Sequence, residues 1–385
     1  MLQASHPLAD ESALRVLSRT VASVSYFKSV SVGRFRGLRD ARLEDLGRLN
    51  LVTGLNGCGK SALLEAMFLL AAPEKPELSL AVMALRGMER FALAEVDQAQ
   101  TPWDSMFSIQ DDLREVRLSA VMDSGLAVGV EMSTSDSGRP RLASPNKRVS
   151  RPSPAPPADA RMRGIKWVSR RGTKNTTRHM FVEAGSTEVK VDPPSRMVTF
   201  QAALRVPQTA VKQEILAERF GQMELDGSTP ILIQSLQMFD PRVKNVKTVY
   251  NRTGPFLHVD IGESRPLPIT LMGGGFLALT EILVDMHLCS GGILLLDEIE
   301  SGFHYSLMAD VWRVISEASI EFDAQIVATT HSLEFIDNAR PLLISEPNAF
   351  RLYRLERDHG TGASNVIDYV ADELSSALEL GLDVR

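Results

Sequence analysis

The segment from Gly54 to Ser61, GLNGCGKS, constrains the fold of this chain more than any other stretch. It has the spacing G-x-x-x-x-G-K-[ST] of a phosphate-binding loop, and it lies between an apolar run at 49–53 and a helix-like stretch at about 60–72. Glycines let a backbone wrap closely round phosphates with its N–H groups pointing inward, and the N-terminus of the next helix adds positive potential. The sequence therefore predicts a strand, a phosphate loop and a helix in direct succession.

The loop also indicates a ligand, which we expect to be ATP with Mg²⁺. Lys60 would bridge the β- and γ-phosphates as part of the catalytic machinery, and the Ser61 hydroxyl would hold the metal ion. The other residues of the loop that we expect to contact the nucleotide are Asn56, Gly57, Cys58, Gly59 and Ala62.

A second pattern is a pair of adjacent acids after the apolar run 293–296, ILLL. Asp297 would position Mg²⁺ through its water shell, and Glu298 would orient and polarise the attacking water. Neighbouring side chains of a strand point to opposite faces, so both acids can serve one nucleotide only if the strand ends there and the backbone turns. The pair Ser301-Gly302 just downstream permits that turn.

Two further signals lie in the same half of the chain. His331 follows the next apolar strand, 325–329, where it could contact the γ-phosphate. Gly273, Gly274 and Gly275 precede a helix at about 276–286, and glycine amides at a helix start form an anion cradle. A second phosphate cradle is redundant within one subunit but would be useful against the γ-phosphate bound by another. We therefore expect a homo-oligomer with nucleotide at its interfaces.

Composition excludes several classes of protein. The 385 residues are 44% hydrophobic and 23% charged, as in soluble globular proteins. Cys58 and Cys289 are the two cysteines, too few for a disulfide framework or a structural zinc site, which favours a reducing, cytoplasmic compartment. No apolar run is long enough to span a bilayer and no secretory signal is recognisable, so we expect no membrane association.

Charge is distributed unevenly along the chain. The net charge is −6, yet the Pro-rich segment 139–178 has twelve Lys and Arg residues against one Asp. Such an asymmetry suggests that DNA or an acidic protein surface binds there, and the alternative is a solvated linker. Apolar runs alternating with helical stretches in the last third of the chain predict a parallel sheet with crossover helices.

In this order, the patterns resemble the ABC-type ATPases of the OLD family and its prokaryotic AAA-15 and AAA-21 relatives, which are distantly similar to RecF and SMC heads. The matching stretches are 35–38 (FRGL), 50–61 (NLVTGLNGCGKS), 296–305 (LDEIESGFHY), 325–332 (QIVATTHS) and 381–385 (GLDVR). The resemblance implies an α/β fold: an ABC-type P-loop head with a mixed or parallel sheet, an antiparallel β subdomain and an inserted, partly helical lobe.

The resemblance also implies a division of the chain. We expect an N-terminal extension at 1–26, the first part of the head at 27–95, an insertion at 96–245 that includes the basic segment, and the second part of the head at 246–385. It implies that Lys60, Ser61, Asp297, Glu298 and His331 have the roles given above, and that Gly273 and Gly275 form the signature loop. Relatives usually have an acid where this chain has Gly274. A glutamine that many relatives place beside the metal has three candidates here, namely Gln98, Gln100 and Gln110.

The function implied is a regulatory one. OLD enzymes proper carry a Toprim nuclease, whereas 54 residues follow His331, so we do not expect this chain to cut DNA. Stand-alone relatives resemble ATPase subunits of antiphage systems such as PARIS, which implies a separate Toprim-like nuclease as partner. The main alternative is a RecF- or SMC-like DNA-binding ATPase of repair or chromosome maintenance, in which deletion of 139–178 would abolish DNA binding. A transporter ATPase is disfavoured by the large insertion.

Overall fold

A computed structural model describes residues 26–87, 103–108, 114–135, 164–182, 189–195, 201–207, 212–252, 254–345, 349–358 and 360–369, with Glu373, Leu374 and Ser376. In chain order, the strands are β1 (Phe27–Phe35), β2 (Leu38–Leu43), β3 (Leu49–Thr53), β4 (Glu115–Met122), β5 (Ala127–Ser135), β6 (Gly164–Arg171), β7 (Lys174–Val182), β8 (Val189–Asp192), β9 (Ala202–Arg205), β10 (Asn245–Asn251), β11 (Gly254–Asp260), β12 (Leu267–Pro268), β13 (Ile293–Leu296), β14 (Gln325–Thr329), β15 (Phe350–Arg357) and β16 (Ser364–Tyr369). The helices are α1 (Lys60–Ala71), α2 (Leu78–Leu85), α3 (Gln213–Leu225), α4 (Thr229–Phe239), α5 (Gly274–Leu288), α6 (Met308–Glu321) and α7 (Leu333–Ser345).

One sheet is mostly parallel and has the order β16-β15-β3-β14-β13-β9. Strands β15, β3, β14, β13 and β9 run parallel, and β16 pairs antiparallel with β15. Every residue of β3, β13 and β14 is buried, as expected for strands covered on both faces. The carboxyl ends of β3, β13 and β14 therefore lie along one edge of this sheet.

The other large sheet is antiparallel, in the order β2-β1-β4-β5-β6-β7-β8. Its strands alternate between buried and more exposed residues, because one face packs on the core and the other meets solvent. In β4, for example, every second residue from Val116 to Met122 is buried. Helix α1 lies between the two sheets with ten buried residues, and it contacts β1, β4 and β5 on one side and β9, β13 and β14 on the other.

The opposite face of the parallel sheet is covered by helices. A second hydrophobic core joins residues of α3, α4, α5, α6 and α7 to the strands β13, β14 and β15. A small antiparallel sheet of β10, β11 and β12 packs on α3, next to the start of α5. This layering confirms the predicted class: an ABC-type P-loop head that combines a parallel sheet, an antiparallel β subdomain and a helical lobe.

The basic segment contains regular structure. Residues 164–171 and 174–178 belong to β6 and β7, so the linker interpretation is wrong for this part of the segment. Lys166 and Arg170 are exposed, whereas Ile165 and Trp167 are fully buried, so the cations occupy the solvated face of a strand rather than a flexible connection. Residues 139–163 lie outside the described residues.

The predicted boundaries at 95 and 245 stay a prediction, and sheet membership runs across them. Strands β4 to β8 complete the antiparallel sheet that β1 and β2 begin, and β9 joins the parallel sheet beside β13. The extension before Tyr26 and the glutamines at 98, 100 and 110 lie outside the described residues. No helix in the described part of the chain is both long and apolar enough to cross a bilayer.

Candidate nucleotide-binding site

The phosphate loop connects β3 to α1, as the sequence predicts. Gly54 has φ +144°, and a Cβ there would lie 2.2 Å from the carbonyl oxygen of Leu355 on the neighbouring β15. Gly59 has φ +111°, and its Cβ would lie 2.5 Å from a methyl carbon of Leu38. Side chains at these two positions would collide with the fold in a backbone conformation they rarely adopt, so glycine is required at both.

The loop presents backbone N–H groups at the start of α1. The amide of Leu63 donates to the carbonyl of Gly59 at 2.9 Å, and no side chain caps the helix at Gly59. Helix geometry gives the preceding amides no carbonyl within the helix, and the helix dipole makes this end positive. Lys60 is largely buried and donates from Nζ to the carbonyl oxygens of Gly54 at 2.6 Å and Leu55 at 3.3 Å. Its ammonium group therefore lies on the loop.

The two acids are fixed by one threonine of the adjacent strand. Thr329 donates from Oγ1 to Oδ1 of Asp297 at 2.6 Å and accepts from the amide of Glu298 at 2.9 Å. Asp297 is largely buried, and its own amide donates to the carbonyl of Arg205 at 2.9 Å. Glu298 has φ +48° and its carbonyl accepts from the amide of Ser301 at 2.8 Å, so the chain turns directly after β13, and Gly302, with φ +91°, lies in the same turn.

These residues fit Mg²⁺ by their chemistry. Mg²⁺ takes oxygen ligands and is usually held by one or two protein groups together with substrate phosphates. Asp297 offers its second carboxylate oxygen and Ser61 a hydroxyl at the helix start. Among the described residues, no cluster of three or more His, Cys, Asp or Glu could hold a metal ion by itself.

His331 follows β14 and is half exposed, with 50% of its side chain accessible. Oε1 of Glu300 lies 3.2 Å from His331 Nδ1 and also accepts from the His331 amide at 3.0 Å. The amide of Ile299 donates to the carbonyl of Thr329 at 3.0 Å. The segments after β13 and β14 are therefore joined, and they bring the predicted acids and the histidine to one edge of the sheet.

The glycine turn lies apart from the phosphate loop. Gly273 has φ +97° and caps α5, and a Cβ at Gly273 or Gly274 would meet nothing within 4 Å. Gly275 packs against the turn after the acids, where its Cβ would lie 3.2 Å from the carbonyl oxygen of Gly302. In the described part of the chain, Gly273 to Gly275 share no hydrogen bond with residues 54–61. The predicted signature loop therefore opens outward.

A buried ion network links this glycine-capped helix to the acids. Arg205, the last residue of β9, forms an ion pair with Glu281 of α5, and its other terminal nitrogen is 4.0 Å from Asp285. Arg219 of α3 pairs with Asp285 at 2.7 Å. Burial raises the pKa of Glu281, and the charge of Arg205 opposes that rise. Sequence reasoning missed this network because β9 is only four residues long; the signal was the apolar run 202–204 that ends in an arginine.

Strand β9 also points to a further candidate for the predicted glutamine beside the metal. It runs parallel to β13, with Arg205 opposite Leu296, and its carboxyl end lies beside Asp297. The sequence continues through Val206 and Pro207 to Gln208, which is itself outside the described residues. Gln208 therefore joins Gln98, Gln100 and Gln110 as a candidate, and it follows a strand adjacent to the one that bears the acids.

Other charged groups surround the loop. Glu65 of α1 is buried, 2.8 Å from Nε of Arg36 and 2.6 Å from Nε of Arg86. Burial raises the pKa of Glu65, the two arginines lower it, and the charge of Asp297 raises it further. Burial also raises the pKa of the Cys58 thiol within the loop, which favours its neutral form. A cavity of about 820 Å³ lies beside the loop, against the turn that joins β15 to β16.

A phosphate loop after β3, a histidine after the adjacent strand β14 and an acid pair after the next strand, β13, form the arrangement of a P-loop ATPase head of the ABC type. Residues 49–337, three quarters of the chain, match AAA_21, the family described as "AAA domain, putative AbiEii toxin, Type IV TA system". The chain belongs to this family.

The relatives found are distant. A Helicobacter pylori protein named "ATP/GTP phosphatase" is 20% identical over 341 residues, 80% of this chain and 86% of that protein. An uncharacterized Methanocaldococcus jannaschii protein is 37% identical over 59 residues, 15% of this chain and 26% of that protein. Among solved structures, the SMC head bound to the C-winged helix domain of ScpA is 11% identical, with a TM-score of 0.46, and covers 92% of this chain and 99% of that chain. The Thermotoga maritima SMC head domain is 12% identical with a TM-score of 0.39, covering 89% and 99%.

Proposed function

We propose that this chain binds ATP with Mg²⁺ and hydrolyses it at a site that a second copy of the chain completes. The observation that carries the proposal is the Thr329 hydroxyl. It lies at the end of β14, the strand next to β3 and its phosphate loop, and it holds Asp297 and Glu298 together at the end of β13. Membership of an AAA family and the name of the Helicobacter pylori relative support it.

In the proposed reaction each residue acts through its charge and position. The amides from Gly57 to Ala62 and the ammonium of Lys60 bind the phosphates. Ser61 and Asp297 hold Mg²⁺, which neutralises charge on the phosphate oxygens when it is bound. Glu298 orients the attacking water and polarises it for in-line attack on the terminal phosphorus. His331 faces the terminal phosphate from the end of β14.

The second copy is proposed from the outward-facing glycine turn. Gly273 and Gly274 have open space around them, so their amides are accessible to a phosphate bound elsewhere. Large apolar side chains lie exposed at three places round this edge, with accessible fractions of 64% for Leu55, 69% for Leu271 and 68% for Tyr305. Exposed apolar groups beside polar functional loops are typical of protein contact surfaces.

Two variants test the activity. Lys60→Ala should lose ATP binding, measured by calorimetry, because the phosphates lose their buried cation. Glu298→Gln should retain binding, since its amide occupies the same volume, but turn ATP over at least about a hundredfold more slowly without a base to orient water. Equal turnover by Glu298→Gln and the unchanged protein would remove Glu298 from its role.

We further propose that the ATPase acts as a sensor or scaffold in an antiphage defence system and controls a separate Toprim-like nuclease. This step rests on the resemblance of the motifs to OLD-type and PARIS-type ATPases. Its test is co-purification with the product of the neighbouring gene, in buffer without nucleotide, with ATP, and with Glu298→Gln plus ATP. Failure to co-elute in all three conditions would count against the nuclease partner and leave the ATPase proposal intact.

A second candidate function, DNA binding by a RecF- or SMC-like ATPase, is favoured by the solvated face of the antiparallel sheet. Register pairs place Arg34 beside Arg117, Ser133 beside Lys166, and Gly129 beside Arg170, so these cations share one face. The face also carries Glu115 and Glu131, and Glu115 pairs with Arg117 at 2.7 Å. Several cations there could bind phosphates with a steep dependence on salt.

Deletion of 139–178 cannot test DNA binding, because it would remove β6 and half of β7. The sharper experiment reverses Lys166 and Arg170 to glutamate and measures binding to duplex DNA between about 50 and 200 mM salt, the range over which phosphate contacts weaken strongly. The control is Lys247→Glu, which makes the same kind of charge reversal on β10, a strand of the separate small sheet. A loss confined to the double variant supports DNA binding, and equal affinities for all three proteins argue against it.

A further inference from the structure

Glu300 lies two residues after Glu298 and contacts His331 at two points. Its Oε1 accepts from the His331 amide at 3.0 Å and lies 3.2 Å from Nδ1 of the ring. The carboxylate is 11% exposed and the imidazole 50% exposed, so the acid is the buried member of the pair. The contact spans 31 positions of sequence and joins the segment after β13 to the segment after β14.

Backbone hydrogen bonds flank Glu300 on both sides. The amide of Ile299 donates to the carbonyl of Thr329 at 3.0 Å, and the amide of Ser301 donates to the carbonyl of Glu298 at 2.8 Å. The amide of Phe303 donates to the carbonyl of Glu300 at 3.1 Å. Glu300 is therefore part of a turn whose backbone is hydrogen-bonded both within itself and to Thr329.

This geometry favours one ring nitrogen as the carrier of the proton. Nδ1 of His331 lies 3.2 Å from Oε1, and an ionised carboxylate can only accept, so a hydrogen bond between them requires the proton on Nδ1. The neutral ring then has its lone pair on Nε2, the nitrogen directed away from Glu300. Toward a phosphate oxygen, Nε2 donates only when the imidazole also carries its second proton.

We propose that Glu300 is a positioning residue that holds His331 as the Nδ1–H tautomer and directs Nε2 toward the terminal phosphate. The inference rests on the proposed ATPase function and names a further residue of the same site. Glu300 touches neither substrate nor metal in this scheme and acts through the histidine. The Oε2 atom is buried and forms no hydrogen bond within the described residues, so Oε1 alone provides the orienting contact.

The first test compares Glu300→Gln with Glu300→Leu. The amide oxygen of glutamine can still accept from the His331 amide and from Nδ1–H, whereas leucine can accept from neither. We expect Glu300→Leu to lower kcat about tenfold to a hundredfold, the range for loss of the partner that orients a functional histidine in metal sites. Glu300→Gln should recover most of that loss, and the KM for ATP should stay within about twofold in both, because the interaction acts in the transition state.

Double variants separate positioning from a structural role. In a His331→Ala background, Glu300→Leu should cause no further loss of kcat, because its effect passes through the imidazole. Equal additional losses in both backgrounds would overturn the inference. If His331→Ala itself retains full turnover while Lys60→Ala and Glu298→Gln behave as proposed, the inference also fails and the ATPase proposal stands.

A second readout needs no activity. Long-range ¹⁵N–¹H spectra of the protein with labelled histidines report the tautomer of each ring, and comparison with His331→Gln assigns the signal among the seven histidines. We expect His331 to carry its proton on Nδ1 and to lose that preference in Glu300→Leu. A neutral ring that carries its proton on Nε2 in the unchanged protein would overturn the inference regardless of the kinetics.

Discussion

Thr329 holds both acids of the candidate site with a single hydroxyl group, and its side chain is fully buried. Thr329→Val preserves the shape but removes the donor to Asp297 and the acceptor for the Glu298 amide. We expect stability to fall by about 1–3 kcal/mol, the cost of unsatisfied buried polar groups. We expect kcat to fall by about a hundredfold if the acids move by an ångström.

Thr329→Ser is the matched control, because serine keeps the hydroxyl and loses only a methyl group. Steady-state turnover and urea denaturation of both variants measure the two effects. A valine variant with unchanged kcat would show that the acids are held in place by other groups.

The phosphate loop offers a comparison between two glycines of positive φ. At Gly54 a Cβ would lie 2.2 Å from the carbonyl oxygen of Leu355 and 2.8 Å from the sulfur of Cys58, whereas at Gly57, with φ +79°, it would meet nothing within 4 Å. Gly57→Ala should therefore cost only backbone strain, about 1–2 kcal/mol. Gly54→Ala adds overpacking, a further loss of about 1–3 kcal/mol. Equal urea midpoints for the two variants would contradict the collision with β15.

Spacing alone predicts some of these residues and not others. The loop, the acid pair and His331 follow recognisable patterns of residue types along the chain. Thr329, Glu300 and Arg205 gain their importance from partners 32, 31 and 76 positions away. Thr329 meets Asp297 and Glu300 meets His331 because β13 and β14 are neighbours in one sheet, whereas Arg205 meets Glu281 because α5 lies beside the end of β9. A single sequence gives no direct sign of that adjacency.

At the scale of elements, β9 connects the acids to the helix that begins at the glycine turn. The carbonyl of Arg205 accepts from the Asp297 amide, and its guanidinium is directed toward Glu281 and Asp285 of α5. Arg205→Met would leave two buried carboxylates with less positive charge. Breaking a buried ion network in this way costs about 3–5 kcal/mol.

The comparison for Arg205→Met is Arg313→Met. Arg313 lies on α6 with half of its side chain exposed and pairs with Asp310 at 3.0 Å, so its loss should change stability by no more than about 0.5 kcal/mol. Urea denaturation of both variants measures the difference. If the buried network contributes no more to the free energy of unfolding than the surface pair does, the two variants will have equal urea midpoints.

The sequence predicts those strands and helices in which a single pattern of apolar residues continues through the whole segment. Strands β3, β13 and β14 are continuous apolar runs, and the sequence predicts each of them. Strand β6, GIKWVSRR, was obscured because its solvated face carries cations, although Ile165 and Trp167 alternate with Lys166 and Val168 as a half-buried strand requires. Strand β9 has four residues, too few for alternation to be distinguished from chance.

At the scale of the whole molecule, the order of strands in the sheets could not be predicted. Strand β1 pairs with β4 and β9 pairs with β13, and in both cases the partners are about ninety positions apart. The predicted boundary at 95 assumed that strands far from the loop form a separate lobe. The entropic cost of closing a loop rises only slowly with the length of the loop, so strands far apart in sequence can join one sheet. Their apolar residues are then buried in the core between the two sheets, which stabilises the pairing.

The proposed assembly predicts a change of mass that depends on one exposed ring. Tyr305 follows the turn after the acids, is 68% exposed and stacks on His304 with ring centroids 4.2 Å apart. In a Glu298→Gln background, where ATP should persist at the site, addition of ATP and Mg²⁺ should at least double the particle mass measured by light scattering. Tyr305→Asp should prevent that increase, because a carboxylate would be buried against the partner without a counter-charge.

Tyr250→Asp is the control for the mass experiment, since Tyr250 is 78% exposed but lies on β10, in the separate small sheet. It should leave the increase intact. Both variants should bind ATP like the parent, because neither residue belongs to the phosphate loop. If Tyr305→Asp still doubles in mass with ATP, the face beside Glu298 is not the contact between copies. If the parent itself stays monomeric while binding ATP, the outward glycine turn has no partner phosphate, and hydrolysis must be completed within one chain.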